Sequence, residues 1–347
     1  MTKENIPKIS VIIPVFNSES FLKKCLDSIK NQTFENFEVI IVNDGSTDDS
    51  EIICQDFVKE DERFNYFKQK NKGKSTAVNF GFKKAKGDYI YFLDSDDYID
   101  KDLLSIAHET ASKYHVDIVN FNYYYLKDKQ QFKGFTKFPK NKVLENYDIK
   151  SFISEWSPDK NSLLWFTWIN LIKKSLLDDF NIIHNEKLKR GVDSTFNLEC
   201  YINAKGLYSL DHHLYYYVYN PNSLTQLKYK PNFLRDLENQ FFERIEIQKK
   251  YGIHNRNFIN AMVNYYVSHS PFALINNEKN HTEGLKIKSL KKIRASEIFK
   301  YCFKHYNGIT NEILKKKIII TLFKYNQLWL IWLLNGFAIK LKFDRNG

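Results

Sequence analysis

Four short apolar runs set the frame for this chain: "KISVIIPVFN", "FEVIIVND", "RFNYFKQ" and "GDYIYFLD", all within the first hundred residues. Each is too short for a buried helix and rich in β-branched or aromatic residues, so each reads as a strand. Between them lie "FLKKCLDSIKNQ", "STDDSEIICQDFVKE" and "STAVNFGFKKA", whose apolar residues recur at helical spacing. Ser20 is the expected cap of the first helix. Strands alternating with helices predict an α/β domain with a mostly parallel, Rossmann-like sheet and helices on both faces. Ligands of such sheets bind at the carboxyl ends of the strands. Asp44 and Asp94 both fall there, one closing "VIIVN" and the other closing "YIYFL".

The second of these ends is densely charged. In "YFLDSDDYID" four carboxylates, Asp94, Asp96, Asp97 and Asp100, occupy seven residues. Two like charges about 4 Å apart repel by roughly 4 kcal/mol at an effective dielectric near 20, so the cluster calls for a counter-charge. Hard divalent cations take oxygen ligands, with carboxylates supplying one or two and substrate phosphates the rest. A D-x-D alone is common in surface loops; its place after a buried strand favours a cation site. Asp44 in "VNDGSTDDS" has two readings, a helix cap or a ligand for a base or ribose, and Ser46, Thr47 and Asp48 stand ready for the capping role.

Past residue 100, "LLSIAHETASKY" reads as a helix, "VDIVNFNYYYL" as a long strand, "KDKQQFKGFTKFPKNK" as a hairpin or loop and "HLYYYVYN" as another strand. The pattern then turns helical with "NFLRDLENQFFERIEIQKKY". The charge changes as well: residues 1–100 carry 14 Lys/Arg against 18 Asp/Glu, and residues 231–347 carry 20 against 9. The expected division is a domain over residues 1–228, with a nucleotide-binding half (1–100) and an acceptor half (101–228), then a basic, mainly helical region over 229–347. A basic region suits an anionic surface, membrane or nucleic acid. A nucleic-acid binder needs a basic face with exposed aromatics and leaves the Asp cluster without a purpose, so no nucleic-acid partner is expected. The final "KKKIIITLFKYNQLWLIWLLNGFAIKLKF" joins lysines to Trp329, Trp332 and leucines. Its uncharged stretch, Tyr325 to Ile339, is shorter than the roughly 20 residues that span a bilayer. It reads as an interfacial helix or as a core helix packed back on the protein. Cys25, Cys54, Cys200 and Cys302 stand alone, without a C-x-x-C pair, as suits a reducing cytosol.

Four segments, taken in order, resemble family 2 glycosyltransferases of the GT-A fold, of the bacterial kind that builds surface polysaccharides. They are "ISVIIPVFNSESFLKKCLDSIKNQTFENFEVIIVNDGSTDDS", "NKGKSTAVNFGFKKAKGDYIYFLDSDD", "GVDSTFNLE" and "LYYYVYNPNSLT". The resemblance implies an inverting transfer from a UDP-sugar to a saccharide acceptor, free or lipid-linked, with Mn²⁺ or Mg²⁺ as cofactor, at the cytoplasmic face of a membrane. It implies that Pro14 and Val15 line the nucleotide pocket, that Asp44 holds the uracil with Asn71 nearby, and that Asn79 and Ser95 belong to the same nucleotide-sugar pocket. It places Asp94 at the ribose and Asp96 on the metal. Asp193 becomes the catalytic base, Ser223 part of a segment closing over the diphosphate, and Trp168 part of the acceptor side.

Two positions depart from the family's pattern. Val78 stands where the family has Arg, so either a neighbour such as Lys72 or Lys74 supplies a cation near the nucleotide or donor affinity is lower. Val192 stands where the family has Glu, while Asp193 keeps the acid thought to be the base. From the residues alone, Asp193 is as easily the N-cap of "STFNLECYINA". His212 and His213, flanked by strand-like residues, read as strand-edge side chains. A sugar nucleotidyltransferase is the alternative enzyme; it requires a Gly-rich basic loop after the first strand, and "PVFNSES" has none.

Overall fold

In the computed structural model the run Ile9–Val15 forms strand β1, buried at all seven positions. The structure describes residues 6–154, 166–221, 223, 226–253, 256–281, 283–306 and 314–334. After β1 come α1 (Glu19–Lys30), β2 (Phe37–Asn43), α2 (Ser50–Glu60), β3 (Phe64–Lys68), α3 (Lys74–Lys84) and β4 (Tyr89–Phe92). The expected alternation is therefore present. The cap of α1 is Ser18 and not Ser20.

β1 pairs in parallel with β2 on one side and β4 on the other, and β3 continues beyond β2. The chain thus moves outward through β2 and β3 and returns across β1 to β4. This reversal of strand order is where α/β sheets open a crevice for ligands. Val15 faces Asn43 across the ladder, and the Asp44 amide donates to the Val15 carbonyl at 2.8 Å. On the other side the Leu93 amide donates to the Ile12 carbonyl at 3.0 Å. Asp44 and Asp94 accordingly leave the same edge of the sheet.

Alternate residues of β1 serve two faces. Ile9, Val11, Ile13 and Val15 pack with Leu22, Cys25, Leu26 and Ile29 of α1 in the main core. Ile12, with Ile40 and Val42 of β2, faces α3 at Gly81. A Cβ on Gly81 would sit 2.6 Å from the Ile12 Cγ2 and 3.3 Å from the Val42 Cγ2, so glycine lets this helix approach the sheet. Gly81→Val should cost about 1–3 kcal/mol by overpacking. Urea unfolding should show a lower midpoint at unchanged slope; an unmoved midpoint would mean that α3 can shift freely.

The sheet continues through β5 (Tyr98–Ile99), α4 (Leu103–Tyr114), β6 (Ile118–Lys127), β7 (Gln130–Gly134), β8 (Val143–Glu145), α5 (Asn146–Ser154), β9 (Asn170–Lys173), α6 (Lys174–Phe180), α7 (Val192–Asn203) and β10 (Gly206–Val218). Its order is β3-β2-β1-β4-β9-β6-β10-β5. β9 runs antiparallel between β4 and β6, while β10 lies parallel to β6. The sheet is thus mostly parallel in its first half and mixed in its second. The expected hairpin is β6–β7. Together this is a GT-A-type fold followed by a helical region.

The described residues form two compact units. The first runs to Ile153 and resumes up to Pro221; the second begins after it. The second holds α8 (Phe233–Lys250), α9 (Arg256–Lys279), α10 (Ile287–Ala295), α11 (Glu297–His305), α12 (Leu314–Lys324) and a helical stretch over 328–334. Phe241, Tyr266, Phe299 and Phe323 anchor its separate core. The lysine- and tryptophan-rich end is not one continuous helix: Asn326 takes a left-handed φ of 58°, and Arg294 Nε caps α12 at the Phe323 carbonyl, 2.7 Å away. Ile320, Leu328 and Ile331 enter the core, whereas Trp329, Trp332 and Leu334 are exposed. One face of this end packs in the core and the other is open. Residues 335–339 of the expected helix lie outside the described residues. No described helix is long and apolar enough to cross a membrane.

Candidate active site

The turn after β2 is shaped around a buried carboxylate. Asp44 Oδ1 accepts hydrogen bonds from Gln69 Nε2 (2.7 Å) and the Lys72 amide (2.9 Å), and Oδ2 accepts one from the Gly73 amide (2.8 Å). Gly45 beside it has φ +76°, and a Cβ there would meet the Asn71 nitrogen at 2.9 Å, so only glycine lets the two loops close. Asp44 caps no helix. Nor is it free: it fixes loop 69–73, leaves Asn71 exposed at the rim, and sets the start of α3.

The turn after β4 gathers three acids. Asp94, Asp96 and Asp97 each bring a carboxylate oxygen within 4.8 Å of the others. Asp97 is buried and committed: Tyr215 Oη donates to its Oδ2 at 2.5 Å and the Val218 amide to its Oδ1 at 2.7 Å. Burial, then Asp96 and Asp94, hold its carboxyl well above the usual range. Asp96 is bonded on one oxygen, by Asn220 Nδ2 at 3.0 Å, and burial followed by the charge of Asp94 raises its pKa. Asp94 forms an ion pair with Lys74 Nζ at 2.6 Å. Asp94 and Asp96 thus keep oxygen atoms for a ligand, and a hard cation fits this donor set.

An aromatic column seats this turn. Trp168 lies 3.9 Å from Tyr215, ring to ring, at 7°. Its carbonyl accepts a hydrogen bond from Tyr91 Oη at 3.1 Å. The indole is buried, with 2% of its surface exposed, so its ring supports the acidic turn from below and offers no face to an acceptor. This departs from the expectation for Trp168: Tyr215 and Tyr217 of β10, Tyr123 of β6 and Phe166 enclose the ring.

Asp193 sits in the first turn of α7, behind Gly191, the N-cap with φ 71°. It is therefore not the cap, and it accepts no hydrogen bond among the described residues. Burial pushes its carboxyl up to about 6; Lys74 works against this and Asp94 adds to it. Lys74, the first residue of α3, stands among these acids. Partial desolvation among these groups disfavours its charge, but Asp94, Asp193 and Asp96 outweigh that and hold the ammonium protonated.

Asn79 departs from expectation. Its Nδ2 donates to the His184 carbonyl (2.8 Å) and to Glu186 Oε1 (3.0 Å), and its Oδ1 accepts from the His184 amide (2.9 Å). The amide braces the segment that leads to α7 from both its ends, so Asn79 positions the approach to Asp193. His184 stacks on Phe196 of α7 at 4.3 Å; burial, then Lys74, lowers its pKa to about 3, which keeps it neutral.

The model of "Glycosyl transferase family 2" matches residues 10–174. The glycosyltransferase EpsJ of Bacillus subtilis (strain 168), described as uncharacterized, is 30% identical over 347 residues, covering 99% of this chain and 97% of that protein. The chain belongs to glycosyl transferase family 2. The glycosyltransferase GlyA of Streptococcus pneumoniae is 34% identical over 248 residues; the match covers 71% of this chain but 35% of GlyA. A crystal structure of S. aureus TarS 1-349 in complex with UDP superposes with a TM-score of 0.61 at 20% identity, covering 92% of this chain and 88% of that one.

Pro14 and Val15 close β1, both buried. Ser95 is buried too, its Oγ 2.7 Å from Ser18 Oγ, so it ties the acidic turn to the start of α1. Ser223 belongs to the second unit, and residues 222, 224 and 225 beside it lie outside the described residues. His213 packs against Tyr124 and Phe135 and, like His212, joins no metal-ligand group among the described residues. Asn220, Tyr215 and Asp97 were not picked out from sequence as partners; the signal was present for Asn220 alone, at the head of "NPNSLT". A cavity of about 640 Å³ lies away from the acids, at the amino ends of β1 and β4. Two ion pairs lie within its lining, Lys8 with Asp88 at 2.9 Å and Lys174 with Asp178 at 2.6 Å.

Proposed function

We propose that the chain transfers a sugar from a UDP-sugar to a saccharide hydroxyl with inversion at the anomeric carbon, in bacterial surface-glycan synthesis. The observation that carries this reading is the gathering of Asp94, Asp96 and Asp193 around Lys74 at the carboxyl ends of β1 and β4. UDP and UDP-GlcNAc in the TarS crystal structures support a uridine nucleotide donor.

In this reading the crevice between Asp44 and Asp94 takes the nucleotide, with Asn71 at its rim. Asp96, with Asp94 beside it, would hold Mn²⁺ or Mg²⁺, and such a cation neutralises the charge that develops on a leaving diphosphate. Asp193 takes the proton of the acceptor hydroxyl as the new bond forms. A carboxyl raised toward neutrality is a stronger base than an ordinary one and remains ionised at pH 7. With one such base and no second nucleophile assigned, a single displacement follows, α-linked donor giving β-linked product. Holding donor and acceptor in line lowers the barrier further. Incubation with a panel of UDP-sugars, with release of UDP measured with and without Mn²⁺, tests the reading. One or a few sugars should stand out, and metal should be required. Equal, metal-independent indifference to every UDP-sugar would overturn it.

The reading extends to a peripheral place at the inner membrane face. Exposed Trp329, Trp332 and Leu334 near lysines of α12 have the composition of an interfacial surface. Full-length protein should bind anionic liposomes at low salt and leave them at high salt, since each basic residue near such a surface adds about 1 kcal/mol. Trp329→Ser with Trp332→Ser should weaken binding while UDP binding is kept. No sedimentation with anionic vesicles at low salt would remove the membrane from the account.

A further inference from the structure

A lysine opens α3, which is the wrong end of a helix for a cation. The N-terminus of a helix carries partial positive charge, and α3 has no acid in its first turn to offset Lys74. The charge is wanted elsewhere. Lys74 Nζ lies 2.6 Å from Asp94, and the charges of Asp193 and Asp96 also act on it. About half of its side chain, 48%, stays open to solvent. The ammonium therefore stands between the acidic turn and α7 and still has room to turn. Val78, one helical turn on, is buried and apolar, so that face of α3 brings no second cation. Lys72, two residues before, spends its amide on Asp44 and makes no ion pair with the acids among the described residues.

We propose that Lys74 is the donor-diphosphate ligand of this chain, an inference that rests on the reading of the site as a UDP-sugar transferase. Without a nucleotide, the ammonium serves as internal counter-ion to Asp94. A nucleoside diphosphate-sugar brings two further negative charges beside Asp94, Asp96 and Asp193. One divalent cation balances only two of the resulting five, and an ammonium already in place relieves a third. As the nucleotide enters, Lys74 Nζ exchanges the Asp94 carboxylate for a phosphate oxygen, and Asp94 is released to the ligand side. Lys74 thus competes with a metal ion in the empty site and cooperates with it in the loaded one.

Calorimetry on the full chain separates these parts, with Mn²⁺ alone, uridine, and UDP at saturating Mn²⁺ as the three probes. Lys74→Met keeps the length of the stem and removes the charge. It should bind Mn²⁺ more tightly than wild type, bind uridine within about twofold, and bind UDP at least about tenfold more weakly, the low end for a lost hydrogen bond to a charged group. Lys74→Arg should recover most of the UDP affinity. If wild type binds UDP and Lys74→Met binds it equally well, the assignment of Lys74 fails and the donor reading stands. A parallel loss of uridine and UDP would make Lys74 a structural residue and also overturn it. If wild type binds no UDP with Mn²⁺ present, both the assignment and the donor reading fall.

Discussion

Asp96→Asn should abolish most of the metal-supported gain in UDP affinity while leaving the protein folded. Losing even an outer partner of a metal ligand commonly costs 10- to 100-fold in metal affinity, so loss of a ligand itself should cost at least about tenfold. The amide keeps the size of the side chain, and its oxygen can still accept the Asn220 bond. Removing the charge also relieves the repulsion from Asp94 that, after burial, raises the Asp96 pKa. The variant should therefore melt no lower than wild type. In EDTA the two proteins should bind UDP alike, and only added Mn²⁺ should part them. UDP affinity in Asp96→Asn that responds fully to Mn²⁺ would place the cation on other oxygens.

The neighbouring Asp97 shows why acids adjacent in sequence differ in role. All three of the cluster lie in one turn, yet Asp97 is sealed by Tyr215 and Val218, more than a hundred positions later in the chain. Nothing local announces this. The strands, the helices and the acidic strand ends were legible because periodicity and turn chemistry are local properties. The antiparallel β9 was not, since the "NLIK" run gains its identity only from β4 and β6 on either side. Asn79 misled for the same reason: its partners His184 and Glu186 lie 105 and 107 residues on. Trp168, placed on the acceptor side by the resemblance, is enclosed by four aromatic neighbours that no local pattern announces. Between Lys72 and Lys74 the sequence offered no choice; the helix start at Gly73 turns one toward the acids and leaves the other at the rim.

Asp193→Asn carries the largest expected effect on turnover. Loss of a general base costs about 10²–10⁴-fold in rate, and the amide cannot accept the proton. UDP binding should be no weaker than in wild type, because the substitution removes a negative charge that acts on Lys74 and Asp94 and takes away no ligand of the cation. The pH dependence gives a second, independent check. With the carboxyl near 6, transfer by wild type should fall about tenfold per pH unit below that value, and level off above it. Stability runs the other way. The folded protein holds this proton more tightly than the unfolded chain, whose carboxyl titrates near the ordinary aspartate value of 3.8. Its contribution is intact below that value and is lost as pH rises through about 6. At pH 7 the ionised carboxylate then costs up to about 3 kcal/mol, an upper limit for a group that water partly reaches. Asparagine removes that cost. Asp193→Asn should thus melt at or above wild type at pH 7 and alongside it below pH about 4, while losing at least about a hundredfold in transfer. A structural residue at a helix start would do the reverse, lowering the melting temperature and sparing turnover. If the variant keeps wild-type turnover on its acceptor, the base must be another acid of the crevice.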